Sequence, residues 1–273
     1  MITYIKKWIL MPLFLLSCSL LLINVYGLFQ DIRPQTFTNQ DLRFINDQPL
    51  SYQETIAKLT KHEDESDIAF ANRATDVIEK GLAHIHWEKY QPEKFNQQVP
   101  LWENYFLYFM GKFSGIPEYE KYHFADYKRS LKRGIGICGD ASMVLSQVLN
   151  EHDIENKILT YPGHVVVAVN FSDNQSALLD ADFGVSIPFD KDETKQNYQE
   201  IAQLYTKKGY AEDDKLFFEE MYQADYRVWN GVKHFITKKY YFEKISYWLK
   251  WPLPIFMIFF SIFYLRKNNI KHS

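Results

Sequence analysis

Apolar residues form one long run near the N-terminus of the chain. The stretch from Trp8 to Phe29 carries no charge and has Asn24 as its one strongly polar group. A helix needs about 20 residues to cross a hydrocarbon layer of roughly 30 Å, so this run predicts a membrane helix. A cleaved secretory signal and a lipoprotein signal ending at Cys18 are the alternatives. The run continues to Ile23, past the length typical of a signal, which favours an uncleaved anchor.

A second apolar run lies near the C-terminus, from Tyr247 to Leu265. Its one charged residue, Lys250, is close enough to the start for its side chain to reach a membrane interface. Pro252 and Pro254 fall in what would be the first turns of a helix, where a missing N–H costs least. The pattern predicts a second membrane helix, and a buried core helix is the alternative.

Helical periodicity recurs between these two runs. Ser51 to Glu54 fits a capping box, and apolar steps of three and four predict helices over Glu54–Leu59 and Ile68–Ile85. The strongly aromatic stretch Leu101–Phe113 predicts a core helix. The alternative is a helix whose aromatic faces line a groove for a sugar or a peptide.

A helix followed by strands is predicted in the centre of the chain. Residues from Cys138 to about Glu151 have the core-facing spacing of a helix. The predicted strands are Lys157–Tyr161, His164–Phe171 and Ser176–Leu179. Two polar-aromatic helices follow, Asp192–Lys208 and Asp213–Tyr226, and the pattern leaves open whether they cross a groove or pack against the domain. The fold class is therefore α+β.

Charge is distributed unevenly along the 273 residues. All 34 acidic residues lie between Gln30 and Lys244 with 25 of the 31 basic ones, so the middle of the chain has nine excess negative charges. Such a surface repels phosphate backbones and anionic membrane surfaces, which argues against a nucleic-acid partner. A hydrophobic content of 47% is ample for a core and argues against disorder of the whole chain.

Basic residues outside the apolar runs predict the orientation in the membrane. Lys6 and Lys7 precede the first run, and three basic residues follow the second, which favours cytoplasmic termini. Lysines also lie before the second run, but the first helix usually dominates orientation. We therefore expect two spans in an inner membrane, with the middle of the chain on the periplasmic side.

The chain has two cysteines, and Cys18 lies inside the first apolar run. The part outside the membrane thus has one thiol, Cys138, and cannot form an internal disulfide. In an oxidising compartment a lone thiol is a liability, which favours a reactive role for Cys138 over packing as a small hydrophobe.

Two short motifs have competing interpretations. His84 and His86 would share one face of a strand, but no further metal ligand follows at a characteristic spacing, so we interpret them as ordinary surface or core-edge histidines. Residues Gly134 to Gly139 fit GxGxxG, but the residues before them are charged and closer to a helix than to the strand that a dinucleotide site requires. The glycines instead permit a tight turn and let a substrate approach the next helix.

Cys138, His164 and Asp180 are the candidate catalytic residues. Cys138 opens a helix, whose positive N-terminal end favours a thiolate and whose N–H groups could stabilise an oxyanion. His164 opens a strand, where it can reach the thiol as a general base. If the two following strands pair as a hairpin, Asp180 falls beside His164 and orients the imidazole. Asp182 has the same parity and is the alternative.

These residues resemble the transglutaminase-like core of the papain-like cysteine enzymes. The motifs that carry the resemblance are Gly136-Ile137-Cys138-Gly139-Asp140-Ala141, Gly163-His164-Val165 and Leu179-Asp180-Ala181-Asp182-Phe183-Gly184. The resemblance implies a cysteine-bearing helix packed on an antiparallel sheet, with Cys138 as nucleophile, His164 as base and Asp180 as orienter. The family's Asp-Pro-Thr is Asp180-Ala181-Asp182 here. Members of the family crosslink proteins, hydrolyse peptides or remove glycans, and some have lost activity.

The overall expectation is an α+β fold with a transglutaminase-like or papain-like core and extra helices, flanked by two transmembrane helices. The predicted domains are an N-terminal anchor (1–29), a linker (30–50), the transglutaminase-like domain (51–244, core 133–184) and a C-terminal membrane helix with a short basic tail (245–273).

The expected function is thiol-mediated acyl transfer or amide hydrolysis on a protein, peptide or cell-envelope substrate, by a membrane-anchored enzyme outside the cytoplasm. We expect no cofactor, no metal and no nucleic-acid partner. The alternative is a catalytically inactive module of the same fold that binds an envelope polysaccharide, a peptide or a partner protein.

Overall fold

A computed structural model describes residues 2–44, 47, 49–172, 175–210 and 212–270 of the chain. The helices are α1 (Ile2–Gly27), α2 (Tyr52–Lys58), α3 (Asp67–Glu79), α4 (Tyr105–Phe113), α5 (Pro117–Glu120), α6 (Tyr127–Arg133), α7 (Cys138–Asn150), α8 (Thr194–Lys208), α9 (Glu212–Gln223), α10 (Val232–Phe235), α11 (Thr237–Leu249) and α12 (Pro252–Ile270). The strands are β1 (Glu155–Tyr161), β2 (His164–Asn170), β3 (Ser176–Asp180), β4 (Val185–Ile187) and β5 (Arg227–Trp229). The predicted α+β class is confirmed.

The chain divides into two compact units. The terminal unit contains the residues up to Ile32, the segment Gln91–Tyr122 and the residues from Tyr241 onward. The sheet unit contains Arg33–Tyr90 and His123–Tyr240. All the candidate catalytic residues belong to the sheet unit.

In the terminal unit, α1 packs along α12. Over Trp8–Gly27, α1 is long and apolar enough to cross a membrane, whereas α11 and α12 meet that criterion only as a pair bent by 46°. The run predicted as one helix over Tyr247–Leu265 is thus interrupted, because Pro252 lacks an N–H and restricts the residue before it. Asn24 is buried and donates to the Lys250 carbonyl at this break, which gives the polar residue of the first apolar run a partner.

The aromatic stretch forms α4 of the terminal unit from Tyr105 onward, four residues later than the predicted start at Leu101. The Asn104 side chain caps this helix by accepting two N–H groups of its first turn. Tyr105 and Leu107 are buried, whereas Phe109 and Phe113 are exposed. The helix therefore contributes to the core with one face, and its role in a binding groove stays a prediction.

The five strands of the sheet unit form one antiparallel sheet in the order β4-β3-β2-β1-β5. Alternate residues of β2 enter two different layers. Val167 and Val169 pack with α3 and α7, and Val166 packs with α8 and α9. Because helices cover both faces, β2 has a continuous apolar sequence instead of an alternating one.

The predicted capping box is confirmed, and a glycine of the predicted tight turn ends another helix. Ser51 and Glu54 form the capping box at the start of α2, with both reciprocal hydrogen bonds. Gly134 ends α6 in the left-handed conformation, at φ 68°, which glycine adopts without strain. The glycine-rich segment before Cys138 thus connects two helices, turning at Gly134 and bridging from Ile135 to Ala83.

One predicted helix is shorter than its apolar spacing suggested. α3 ends at Glu79 instead of Ile85, although Ile85 is buried and bridges to Leu42 in an extended segment. A Cβ on Gly81 would lie 2.7 Å from Thr55 Cγ2, so the chain passes α2 too closely for a side chain there. The apolar spacing continues beyond the helix because the extended segment is buried too.

Three element ends meet where the candidate residues lie. α7 begins at Cys138, β2 begins at His164 and the neighbouring β3 ends at Asp180. The buried Ser142 hydroxyl of α7 donates to the Val165 carbonyl at 2.9 Å, which ties the start of α7 to the start of β2.

Candidate active site

Cys138 is the first residue of α7 and is half-buried. The Ala141 N–H donates to the Ile137 carbonyl in the first turn of this helix. The N–H groups that precede Ala141 therefore point out of the helix start, and the positive end of the helix dipole lies at the same place. A Cβ on Gly139 would meet nothing within 4 Å, so there is open space beside the residue that follows Cys138.

Asp140 anchors the start of α7 from inside the unit. Its buried carboxylate accepts the Ile137 N–H at 3.1 Å and lies 2.7 Å from His123 Nδ1. Burial raises the pKa of Asp140, but His123, the Arg133 charge and the Ile137 N–H lower it more, so the pKa falls below its ordinary value. The sequence indicated Asp140 only as part of the family motif, and the position of its charge partner could not be predicted.

His164 lies between Cys138 and Asp180. Its Nε2 is 2.7 Å from Asp180 Oδ2, and one of its ring nitrogens lies within 4.8 Å of Cys138 Sγ. Since Nε2 is engaged by the carboxylate, Nδ1 is the nitrogen left for the thiol. Burial lowers the pKa of His164, but Asp180 and Cys138 raise it by more. The net pKa is therefore well above its ordinary value. The three side chains thus lie in the order thiol, imidazole and carboxylate, with a hydrogen bond between the last two.

The Asp180 carboxylate accepts four hydrogen bonds. Oδ1 accepts the N–H groups of Asp182 at 3.1 Å and Phe183 at 3.3 Å. Oδ2 accepts the Tyr205 hydroxyl at 2.7 Å in addition to the His164 imidazole. A buried carboxylate held on both oxygens has a fixed orientation, and it fixes the imidazole in turn.

A turn after β3 distinguishes the two aspartates that the sequence left as alternatives. The register pairs Val167 with Leu179, and if it continued it would bring Asp182 opposite His164. The strand ends at Asp180 instead, because the Asp180 side chain accepts the N–H groups of the next residues and turns the chain. Asp180 is therefore the aspartate that contacts Nε2.

Helices α8 and α9 cover the face of the sheet that carries Asp180. Tyr205 of α8 donates to Asp180, and its hydroxyl is 2.8 Å from the Tyr222 hydroxyl of α9. Burial and the nearby Asp180 charge raise the pKa of Tyr205 well above its ordinary value, so its hydroxyl keeps its proton. The role of Tyr205 was not predicted from the sequence. Its spacing with Ile201 and Ala202 indicates a buried residue, but not that its hydroxyl donates to Asp180.

We expect Tyr205→Phe to loosen the group formed by Cys138, His164 and Asp180 without removing any of its three members. Asp180 would lose one donor and Tyr222 would lose its buried partner, which should lower the free energy of unfolding by about 1–3 kcal/mol. Alkylation of Cys138 at neutral pH should slow, but less than in His164→Ala. Denaturant unfolding and iodoacetamide labelling of the same sample measure both effects. Equal losses in Tyr198→Phe, a half-buried tyrosine of the same helix, would contradict this prediction.

Three phenylalanines surround the His164 imidazole on the α9 side. The ring centroids of Phe183, Phe218 and Phe217 lie 5.4, 6.3 and 6.4 Å from that of the imidazole. Phe218 is fully buried, whereas Phe217 is 41% exposed. The imidazole therefore has an apolar wall that limits the access of water from this side.

A second buried polar group adjoins the first. Asp182 is 1% exposed, and one of its oxygens lies within 4.8 Å of both Cys138 Sγ and a His164 ring nitrogen. Within the part of the chain that the structure describes, neither Asp182 oxygen accepts a hydrogen bond. His84 Nε2 lies 3.5 Å from Oδ1, and Arg43 Nη1 lies 3.6 Å from Oδ2. Burial raises the pKa of Asp182 above its ordinary value.

His84 and His86 do not share a face. His86 is exposed, whereas His84 is buried more deeply than a core-edge histidine, with its Nδ1 2.9 Å from Asp47 Oδ2. Burial lowers the pKa of His84, but the Asp47 hydrogen bond and the charge of Asp182 raise it above its ordinary value. Asp47 is 37 residues away in the chain, so no local signal could have predicted the pair.

Comparisons of this chain with protein-family models, with curated proteins and with solved structures found no match.

Proposed function

We propose that the chain is a cysteine enzyme that transfers acyl groups or hydrolyses amides through Cys138. The observation that carries this proposal is the alignment of three side chains: Cys138 Sγ lies within 4.8 Å of the His164 imidazole, and the imidazole is hydrogen-bonded to Asp180. A thiol at a helix start, an imidazole beside it and a buried carboxylate behind the imidazole meet the requirements of nucleophilic catalysis.

The reaction has two halves with one thioester between them. In the first, the Cys138 thiolate forms a bond to the amide carbonyl carbon, the C–N bond breaks, and His164 gives a proton to the leaving nitrogen. The N–H groups at the start of α7 stabilise the oxyanion that forms on the way. In the second, water or an amine attacks the thioester, His164 takes the proton of the attacking group, and the C–S bond breaks to restore the thiolate. Asp180 orients the imidazole throughout.

We extend the proposal to a transglutaminase-like fold at a membrane surface outside the cytoplasm. The fold is supported by a helix that begins at the thiol and packs against β1 and β2 of an antiparallel sheet. Anchoring is supported by the span Trp8–Gly27 and by the bent pair α11 and α12. The substrate would then be a protein, a peptide or an envelope polymer that contains an amide.

The reactivity of Cys138 tests the proposal. In Cys18→Ala, Cys138 is the sole thiol of the chain. We expect iodoacetamide to label it at pH 7 roughly 10 to 100 times faster than an unperturbed cysteine, of which only a few per cent is thiolate at this pH. His164→Ala should remove this advantage. His86→Ala, which deletes an exposed imidazole outside the site, is the matched control.

A covalent adduct supplies the second readout. Incubation of Cys18→Ala with glutamine-containing peptides should give an acyl-enzyme whose mass identifies the acyl group, and Cys138→Ser should not give the thioester. A labelling rate that does not depend on His164 would contradict the proposal, as would full amide-cleaving activity in Cys138→Ala. Those results would favour the non-catalytic binding module.

A further inference from the structure

The Asp182 carboxylate takes no part in the proposed acyl transfer, yet it is buried beside the thiol. Burial of a carboxylate is costly unless a cation or hydrogen-bond donors balance it. His84 and Arg43 form ion pairs with Asp182 at 3.5 and 3.6 Å but no hydrogen bond, and Cys138 and His164 each place a ligand atom within 4.8 Å of one of its oxygens. We propose that Cys138, His164 and Asp182 bind one Zn²⁺ ion.

The geometry of the three side chains suits zinc. Their ligand atoms all lie within 4.8 Å of one another. Around a tetrahedral zinc ion with bonds of about 2.0–2.3 Å, ligand atoms are about 3.4–3.6 Å apart, so a closure of no more than about 1.5 Å completes the site. Sulfur, imidazole nitrogen and carboxylate oxygen are all ligands that zinc accepts, and a water would complete four-coordination.

The charges of the site also match. Among the ligands, a thiolate and a carboxylate balance the two positive charges of the ion, and the imidazole is neutral. Beyond the ligands, the negative Asp180 lies at His164, and Arg43 and His84 lie 3.6 and 3.5 Å from Asp182. Both oxygens of Asp182 lack a hydrogen bond within the described residues, so the carboxylate has lone pairs available for a metal. This observation is independent of the cysteine and the histidine, which the acyl-transfer chemistry already explains.

Outer partners hold two of the ligands in place. Asp180 Oδ2 is bonded to His164 Nε2, which leaves Nδ1 for the ion in the carboxylate–histidine–metal arrangement common to zinc sites. His84, held by Asp47, places Nε2 3.5 Å from Asp182 Oδ1. Binding of the ion forms bonds from zinc to sulfur, nitrogen and oxygen and releases the one proton that the Cys138 and His164 pair carries, with no change of oxidation state.

Zinc at this site would hold the nucleophile and its base together and so block the enzyme. The inhibition rests on the proposed acyl transfer, whereas the binding does not. Metal binding is therefore measured directly. The full chain carrying Cys18→Ala is extracted in detergent, freed of metal with a chelator and titrated with Co²⁺ as a spectroscopic probe. We expect one Co²⁺ per chain, a thiolate-to-cobalt charge-transfer band in the near ultraviolet, and displacement of Co²⁺ by Zn²⁺.

Variants identify the ligands. Asp182→Asn should weaken Zn²⁺ binding by at least about 10- to 100-fold, the loss typical of even an outer partner of a metal site. His86→Ala should bind as before, which excludes adventitious capture by an exposed histidine. Absence of the thiolate band, or equal affinity in Asp182→Asn and in the parent, would overturn the proposal.

A second measurement needs no substitution within the site. Carbamidomethylation of Cys138 in the Cys18→Ala chain should abolish the cobalt band, and Zn²⁺ but not Mg²⁺ should protect Cys138 from iodoacetamide. Labelling that is equally fast with and without saturating Zn²⁺ would overturn the site. Zinc binding in a chain without acyl-transfer activity would support the zinc site and contradict the proposed function. Acyl transfer in a chain that does not bind zinc would support the proposed function and contradict the zinc site.

Discussion

Asp180→Asn is expected to slow acyl transfer by on the order of 10² to 10⁴. The carboxylate accepts hydrogen bonds from the His164 imidazole, the Tyr205 hydroxyl and two backbone N–H groups. An asparagine presents one oxygen and one NH₂ group to these four donors, so at least one buried donor must face the NH₂. The imidazole then loses its orientation or its tautomer, although Cys138 and His164 are still present.

The same substitution should destabilise the sheet unit. Loss of one partner from a buried charged network costs about 3–5 kcal/mol. Denaturant unfolding followed by tryptophan fluorescence measures this loss, and iodoacetamide labelling of Cys138 measures the loss of activation. Unchanged labelling in a folded Asp180→Asn protein would show that the carboxylate does not orient the base.

Asp182→Asn is the matched control, because it makes the same change two residues later. Asp182 is equally buried, but within the described residues it accepts no hydrogen bond, and its ion pairs with His84 and Arg43 are long. Burial raises the pKa of Asp182 in spite of these two partners, so the amide removes a charge whose burial is the larger effect. With metal removed by a chelator, we expect its free energy of unfolding at pH 7 to be unchanged or higher than that of the parent. A loss of more than about 1 kcal/mol would mean that the Asp182 charge is balanced in the folded protein without a metal.

The order of the candidate residues could be predicted because each lies at the boundary of an element with a strong local signal. Cys138 precedes a helical apolar spacing, and His164 precedes a run of valines. Asp180 ends the next strand, and pairing of adjacent strands is the default for short connections. The sequence pattern could not decide between Asp180 and Asp182, because both would lie on the same face of the strand. A turn made by the Asp180 side chain itself decided it.

The surroundings of these residues could not be predicted, because they depend on contacts between distant segments. Tyr205 reaches Asp180 across 25 residues, and Asp47 reaches His84 across 37. A tyrosine and a histidine at such positions look like ordinary core or surface residues in a sequence. The strands β4 and β5 could not be predicted either. They have three residues each, which is too short to show an alternation of polar and apolar residues.

Phe218→Ala should cause the largest loss of stability among changes outside the group of Cys138, His164 and Asp180. Phe218 is fully buried, and its ring stacks on that of Tyr205 with centroids 3.5 Å apart. Truncation of a buried phenylalanine costs about 3–5 kcal/mol, because the cavity it leaves closes only in part. Here the cavity would also free the Tyr205 ring, so the hydroxyl that holds Asp180 would lose its position. We therefore expect slower labelling of Cys138 in any Phe218→Ala protein that remains folded.

Phe217→Ala changes the exposed neighbour of Phe218 in α9, so it tests substrate access to His164 separately from packing of the core. The Phe217 ring is 41% exposed and lies 3.5 Å from the place that a Cβ on Gly163 would occupy, next to His164. Its truncation should cost less than about 1.5 kcal/mol, since much of the ring is already in water. The exposed ring borders the imidazole, so its loss should raise KM for an acyl donor more than it lowers kcat. Unfolding free energies and the two kinetic constants, measured for both variants, test the pair. Equal destabilisation by the two substitutions would mean that α9 does not cover His164 with one buried and one exposed ring.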